Sequence, residues 1–280
     1  MTRLYEDLIR FKQYFTDAYK KVPNESFYMS AIKHKYCHSI DVLNAGRQIF
    51  NTPELAGKTA EFKLLAERAL LFHDVGRFEE NAQRYKAEQE NREILAFTSQ
   101  INHGDIGYEL LKNHPIYGDI RILFAVKYHG QMIENVYASD LWKEVEKSPY
   151  KTEVKQILFL VRDADKLANL RSIKNKGHLK EDVFYKQLSD EAKTAGISPQ
   201  VYTQFFDKKV ILTNTMRTFS DRLLMLLSWI SDLNYTSMRQ IFVKEQYTEY
   251  VINELKKCRV SVDETGKIEK FAKSFLPTDE

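Results

Sequence analysis

Apolar positions recur at three- and four-residue steps along nearly the whole chain, which predicts helices. Leu4, Leu8, Phe11 and Phe15 form the first such stripe, and Pro23-Asn24-Glu25-Ser26 interrupts it. A second helix is expected over about 28–50, closed by Asn51-Thr52-Pro53, with Thr52 as a cap for the next. The third, over about 58–73, is apolar around much of its circumference, as a buried helix is, and Gly76 is expected to end it. Residues 79–100 are polar and aperiodic, which predicts a loop or lid. Helical periodicity resumes at 103–112, 118–128, 136–147 and 152–171 and breaks at Gly177. It returns over 180–275, with an apolar helix near 220–233. The expectation is an all-α fold: a helical core over 1–175 that includes the N-terminal helix, and a C-terminal helical extension over 176–280 packed on it as one structural unit.

Composition supports that reading. Ten glycines and six prolines in 280 residues leave few breaks, hence long helices. A hydrophobic fraction of 43% supplies a real core. Lys plus Arg number 42 and Asp plus Glu 39, and a net charge of +3 is too small to imply a nucleic-acid partner. Cys37 and Cys258 fit no metal or redox spacing and read as reduced thiols of a cytosolic protein. The N-terminus lacks the apolar stretch of a signal peptide. The richest apolar run, 223–230, is far shorter than the ~20 residues that span a bilayer. A cytoplasmic protein outside the membrane is therefore expected.

Histidines and carboxylates carry the candidate chemistry. In Leu70-Leu71-Phe72-His73-Asp74-Val75-Gly76-Arg77 an apolar helix ends in an imidazole beside a carboxylate. Neighbours on a helix point about 100° apart, but at a helix end both can reach one cation. A charged group behind so apolar a run is costly unless paired or metal-bound. In Val161-Arg162-Asp163-Ala164-Asp165-Lys166-Leu167, helical rotation places Asp165 among Val154, Leu158 and Val161. An acid in an apolar stripe needs a cation, so Asp165 reads as a ligand. Asp163 falls opposite, as a solvent-side or supporting group. His38 lies on an inward flank beside Ala31, Val42, Ala45 and Ile49, as either a hydrogen-bonded core residue or a ligand.

A histidine on an early helix, an adjacent His-Asp and a later Asp in Ala-Asp-Lys-Leu together resemble the HD superfamily of metal-dependent phosphohydrolases, over roughly residues 30–170. Ile101-Asn102-His103-Gly104-Asp105 and Lys127-Tyr128-His129-Gly130 resemble the segments that add two histidines in its dinuclear branch. The resemblance implies an HD-domain-like helical bundle. It implies one metal on His38, His73, Asp74 and Asp165, and a second on His103 and His129, with Asp74 bridging and catalytic. The cofactor would be one or two divalent ions of Mn, Fe, Ni, Co or Zn, which suit imidazole and carboxylate. Gly130 stands where the cyclic-dinucleotide-cleaving branch has a further histidine, which argues against that substrate. His114 and His178 match nothing and are expected at the surface.

The implied activity is hydrolysis of a nucleotide or other small phosphate ester by metal-activated water. Arg77 and Lys166 are each either a phosphate contact or a solvated cation. Arg84, with Tyr85 and Lys86, falls in the expected lid and would help choose the substrate. Two alternatives share the pattern: a di-iron oxygenase of the same superfamily, and a nucleotide-binding regulatory module without turnover. The basic residue after the glycine in His-Asp-Val-Gly-Arg resembles the hydrolases, and an intact ligand set disfavours the module.

Overall fold

A computed structural model describes residues 2–90, 102–180, 183–208 and 211–277, and every regular element among them is a helix. Contacts group the chain into two compact units, Met1–Asp165 and Lys166–Glu280.

The first unit holds α1 (Thr2–Tyr19), α2 (Phe27–Arg47), α3 (Ala60–Phe72), α4 (Val75–Gln89), α5 (His103–Leu111), α6 (Ile120–Tyr128), α7 (Ile133–Ala138), α8 (Asp140–Glu146) and the first part of α9 (Lys151–Lys176). Short polar side chains set the starts. Ser26 accepts from the Met29 amide at 3.1 Å, Asn102 from Gly104 at 2.9 Å and Asp119 from Arg121 at 2.9 Å. The cap of α3 is Thr59, which accepts from Phe62 at 3.1 Å. Thr52, expected in that role, donates its hydroxyl to the Ile49 carbonyl in the preceding turn.

α3 is the central helix, and Leu70, Leu71 and Phe72 have no accessible surface. Phe11 of α1 packs against Phe72 and Phe78, with ring centroids 5.4 and 5.3 Å away. Burial of such a side chain contributes about 1.5–3 kcal/mol. The buried Asp7 carboxylate accepts from Arg68 at 2.9 Å and from the Tyr117 hydroxyl at 2.7 Å, tying α1 to α3 and to the turn before α6.

Close helix approach decides where the histidines meet. A Cβ on Gly76 would overlap the His103 carbonyl oxygen and stand 2.7 Å from the Gly107 nitrogen, so α4 and α5 touch backbone to backbone. A Cβ on Gly104 would overlap the Lys127 carbonyl oxygen, which brings α5 equally close to α6.

Three expectations are corrected. Gly76 does not end a helix: the break falls at His73-Asp74, and Gly76 is inside α4. The segment from 79 to 89 is the body of α4, because Phe78 and Ala82 anchor one face while its other face is polar; residues 91–101 lie outside the described ones. The helix expected over 136–147 is two, α7 and α8, since Ser139 is extended and accepts from Trp142 at 3.2 Å to start the second.

The second unit holds the rest of α9, α10 (Val183–Gln187), α11 (Asp190–Thr194), α12 (Pro199–Phe206), α13 (Phe219–Ser228), α14 (Thr236–Lys244), α15 (Tyr247–Leu255) and α16 (Val262–Lys273). Its buried polar hub is Asp221, which accepts from the Ser198 amide and hydroxyl and from the Arg217 amide, each at 2.7 Å. No described helix is long and apolar enough to cross a membrane.

Candidate metal centre

His73 closes α3 and Asp74 opens α4, with φ −52° and −105° respectively. The junction frees the pair from helical spacing, so both side chains reach one space. An Asp at a helix start ordinarily caps it. Asp74 makes no such bond. Its carboxylate is turned into the cluster instead.

Around Asp74 stand five of the six predicted donors' side chains, counting the aspartate itself, and Asp165 completes them through His38 and His73. Oδ1 lies 3.5 Å from His103 Nε2 and 3.5 Å from His129 Nε2. Oδ2 lies 3.6 Å from His73 Nε2. Asp165 Oδ1 is 2.8 Å from His38 Nε2 and 3.9 Å from His73 Nε2. Two triads result, His38-His73-Asp74 and Asp74-His103-His129, whose donor atoms lie within 4.8 Å of one another in each. α2, the α3–α4 junction, the start of α5, the end of α6 and the middle of α9 each supply part of the set.

The imidazoles are oriented by carbonyls, which only accept. His73 Nδ1 therefore donates to Leu70 O at 2.8 Å, and His129 Nδ1 to Val126 O at 3.0 Å. In both rings the Nε2 lone pair then faces the cluster. His73 Nε2 is buried and has no hydrogen-bond partner. An orphaned acceptor on a buried side chain is what a cation would satisfy, and the histidine–carboxylate donor set suits divalent transition metals. Burial pushes the His73 pKa down to about 4 and that of His103 to about 2, against the pull of Asp74. Burial would raise Asp74, but the Lys35 ammonium, His73 and its other neighbours outweigh it and hold the carboxyl well below its usual range. Asp165 is likewise held down by His38, against its own desolvation.

Arg77 follows Asp74 by one turn. Its Nε is 3.7 Å from Asp74 Oδ1, buried and without a partner, while Nη1 donates to the buried Glu80 at 2.7 Å. Glu80 also accepts from Arg84 at 2.9 Å, so Arg84 sits on α4 and not on a lid. Lys166 donates to Asp232 at 2.9 Å. Of the two readings of Asp163, the solvent-side one is corrected: it has no exposed surface, whereas Asp165 keeps 26% of its side chain open. His114 is half-buried, its ring 4.3 Å from Tyr117, and its Nδ1 accepts from the Ile116 amide at 3.2 Å. The His178 side chain lies outside the described residues.

Sequence reasoning passed over three residues. Lys35 donates to Asp74 Oδ2 at 2.8 Å; its spacing of three from His38 was the available signal. Glu80 was read as part of a lid. Arg162 is buried and donates to the His129 carbonyl at 3.0 Å, fixing the end of α6; no pattern marks such a contact.

Residues 36–170 match the family model described as HD domain. No curated protein and no solved structure matches the chain closely enough to add to that. The match spans all the clustered histidines and both site aspartates, and HD domains are generally metal-dependent phosphohydrolases. Over residues 36–170, the chain is an HD domain.

Proposed function

We propose that this HD domain hydrolyses a small phosphate ester, with nucleotides as the first class to test, using two divalent ions of Mn, Fe, Ni, Co or Zn. The observation that supports this most is the division of Asp74, whose two oxygens face different histidines. His38, His73, Asp74 and Asp165 would hold one ion, and Asp74, His103 and His129 the other. Bound there, the metal would bring the pKa of water toward neutrality and draw charge from the phosphoryl oxygens.

The chain's own residues do the rest. His73 and His103 stay neutral at pH 7; His73 presents its Nε2 lone pair as it stands, and His103, whose Nε2 now faces that of His129 at 3.2 Å, would do so with its hydrogen on Nδ1. Asp74 stays ionised and is held at the helix junction. Arg77 offers a buried, unpartnered Nε–H beside Asp74 Oδ1, which suits a phosphate oxygen, and Glu80 keeps its guanidinium from swinging away. Arg84, on the same glutamate, extends the cationic edge along α4.

The test is elemental mass spectrometry on protein purified without chelator or metal-affinity step, followed by phosphate release from nucleoside mono-, di- and triphosphates and p-nitrophenyl phosphate. The expected result is close to two ions per chain and chelator-sensitive release. No metal after incubation with excess ion, or iron with oxygen consumption and no phosphate release, overturns the proposal.

A further inference from the structure

Lys35 lies three residues before His38 on α2, and that spacing turns both side chains to one face. Its Nζ donates to Asp74 Oδ2 at 2.8 Å while 26% of the side chain remains open. The ammonium thus stands at the accessible edge of the centre. Arg84 and Lys127 are held elsewhere, by Glu80 and Asp105, and Arg77, which approaches Asp74 Oδ1 at 3.7 Å, is tied by its Nη1 to Glu80. Lys35 bonds instead to the carboxylate that both histidine groups share, and to the oxygen that faces His73.

That position is in conflict with a cation on the His38-His73-Asp74 group. A divalent ion on Oδ2 and an ammonium on the same oxygen repel each other strongly in a partly desolvated site. His73 cannot yield, because the Leu70 carbonyl holds its Nδ1, and His38 and Asp165, now bonded to each other, would both turn to the ion. A lysine can yield, on a flexible four-carbon stem with a compact charge at its end. Once displaced from Oδ2, its charge would be free to meet an anion beside that oxygen, while Arg77 Nε stands 3.7 Å from the other, Oδ1.

We propose that Lys35 competes with a divalent cation for Asp74 Oδ2 and, displaced by it, binds a terminal phosphate oxygen of the substrate. The inference rests on the phosphohydrolase reading above. It makes Lys35 and Arg77 a pair of phosphate contacts flanking the shared carboxylate. It also makes metal and phosphate binding sequential: the metal releases the ammonium that the phosphate then uses.

The experiment is calorimetry on the full chain, titrating manganese into metal-stripped protein and inorganic phosphate into the manganese-loaded form, for wild type, Lys35→Met and Lys35→Arg. Lys35→Met should bind manganese more tightly than wild type, since its competitor is gone. It should bind phosphate about ten- to a hundred-fold more weakly, the loss of one charge-assisted hydrogen bond. Its KM for p-nitrophenyl phosphate should rise alongside, and Lys35→Arg should restore phosphate binding. If Lys35→Met does not fold, Lys35→Gln keeps a donor for Asp74 and should show the same phosphate loss. Unchanged phosphate affinity in Lys35→Met would mean that Lys35 only neutralises Asp74, and weakened manganese binding that it holds the carboxylate in place; either overturns the proposal. A wild-type chain that binds none of Mn, Fe, Ni, Co or Zn in the same titration overturns the phosphohydrolase reading and this inference with it.

Discussion

One methyl group at position 76 tests whether backbone contact between α4 and α5 builds the centre. The Cβ of Gly76→Ala would overlap the His103 carbonyl oxygen and crowd the Gly107 nitrogen at 2.7 Å, where ordinary contact begins at 3.4 Å. Both obstacles are main chain, so no side chain can rotate aside, and α5 has to move away from α4. Forced overpacking of this kind costs about 1–3 kcal/mol. His103 opens α5, so the same movement carries its imidazole from Asp74 Oδ1, now 3.5 Å away. Sites of this kind tolerate roughly 0.5 Å of displacement, so the Asp74-His103-His129 group should lose its ion first. Urea unfolding of the metal-stripped protein measures the first effect, and metal stoichiometry by elemental mass spectrometry the second. Gly57→Ala is the control: its Cβ meets nothing within 4 Å, and its effect should stay within about 0.5 kcal/mol. Wild-type stability together with an undiminished metal count in Gly76→Ala would refute the reasoning.

Other outcomes follow from the same geometry. Asp165→Ala should lose metal while the fold stands, since Asp165 meets His38 at the partly open centre; Asp163→Ala, fully buried on the enclosed side of α9, should lower the melting temperature and leave the folded protein's metal content intact. Equal metal loss in the two would refute that division. Asp74→Ala should abolish metal retention and phosphate release together, since both donor groups use it; retention of even one ion per chain would count against a shared carboxylate. Metal-stripped protein should weaken on acidification. The His73 pKa falls from 6.5 unfolded to about 4 folded, so its contribution is complete above pH 6.5 and is lost as the pH drops toward 4. Urea melts at pH 7 and 4.5 should differ by about 2–3 kcal/mol from this group, and His73→Gln should shrink the wild-type difference by that amount, leaving the share of His103, which burial also lowers; a flat profile in the wild type would show the imidazole is not held neutral by burial.

The order of elements and the identity of the donors were legible in the chain because both rest on local pattern. Apolar recurrence predicts α1, α2, α3 and α9 to within a few residues, since each buries a stripe regardless of its neighbours. His73-Asp74 stands out because an apolar run makes a charged neighbour costly, and Asp165 because a carboxylate falls among Val154, Leu158 and Val161. The extent of α4 was not legible: its polar faces hide a helix that Phe78 and Ala82 anchor only once α1, α2 and α5 surround it. Nor was the burial of Asp163, since rotation about one helix says which residues share a side and nothing of what covers the other. Lys35, Glu80 and Arg162 act through partners 39, 3 and 33 positions away. Residue type set which groups can bind a cation. Only the backbone contacts at Gly76 and Gly104 decided that α4, α5 and α6 bring His103 and His129 to Asp74, because that proximity depends on missing side chains and leaves no periodic trace.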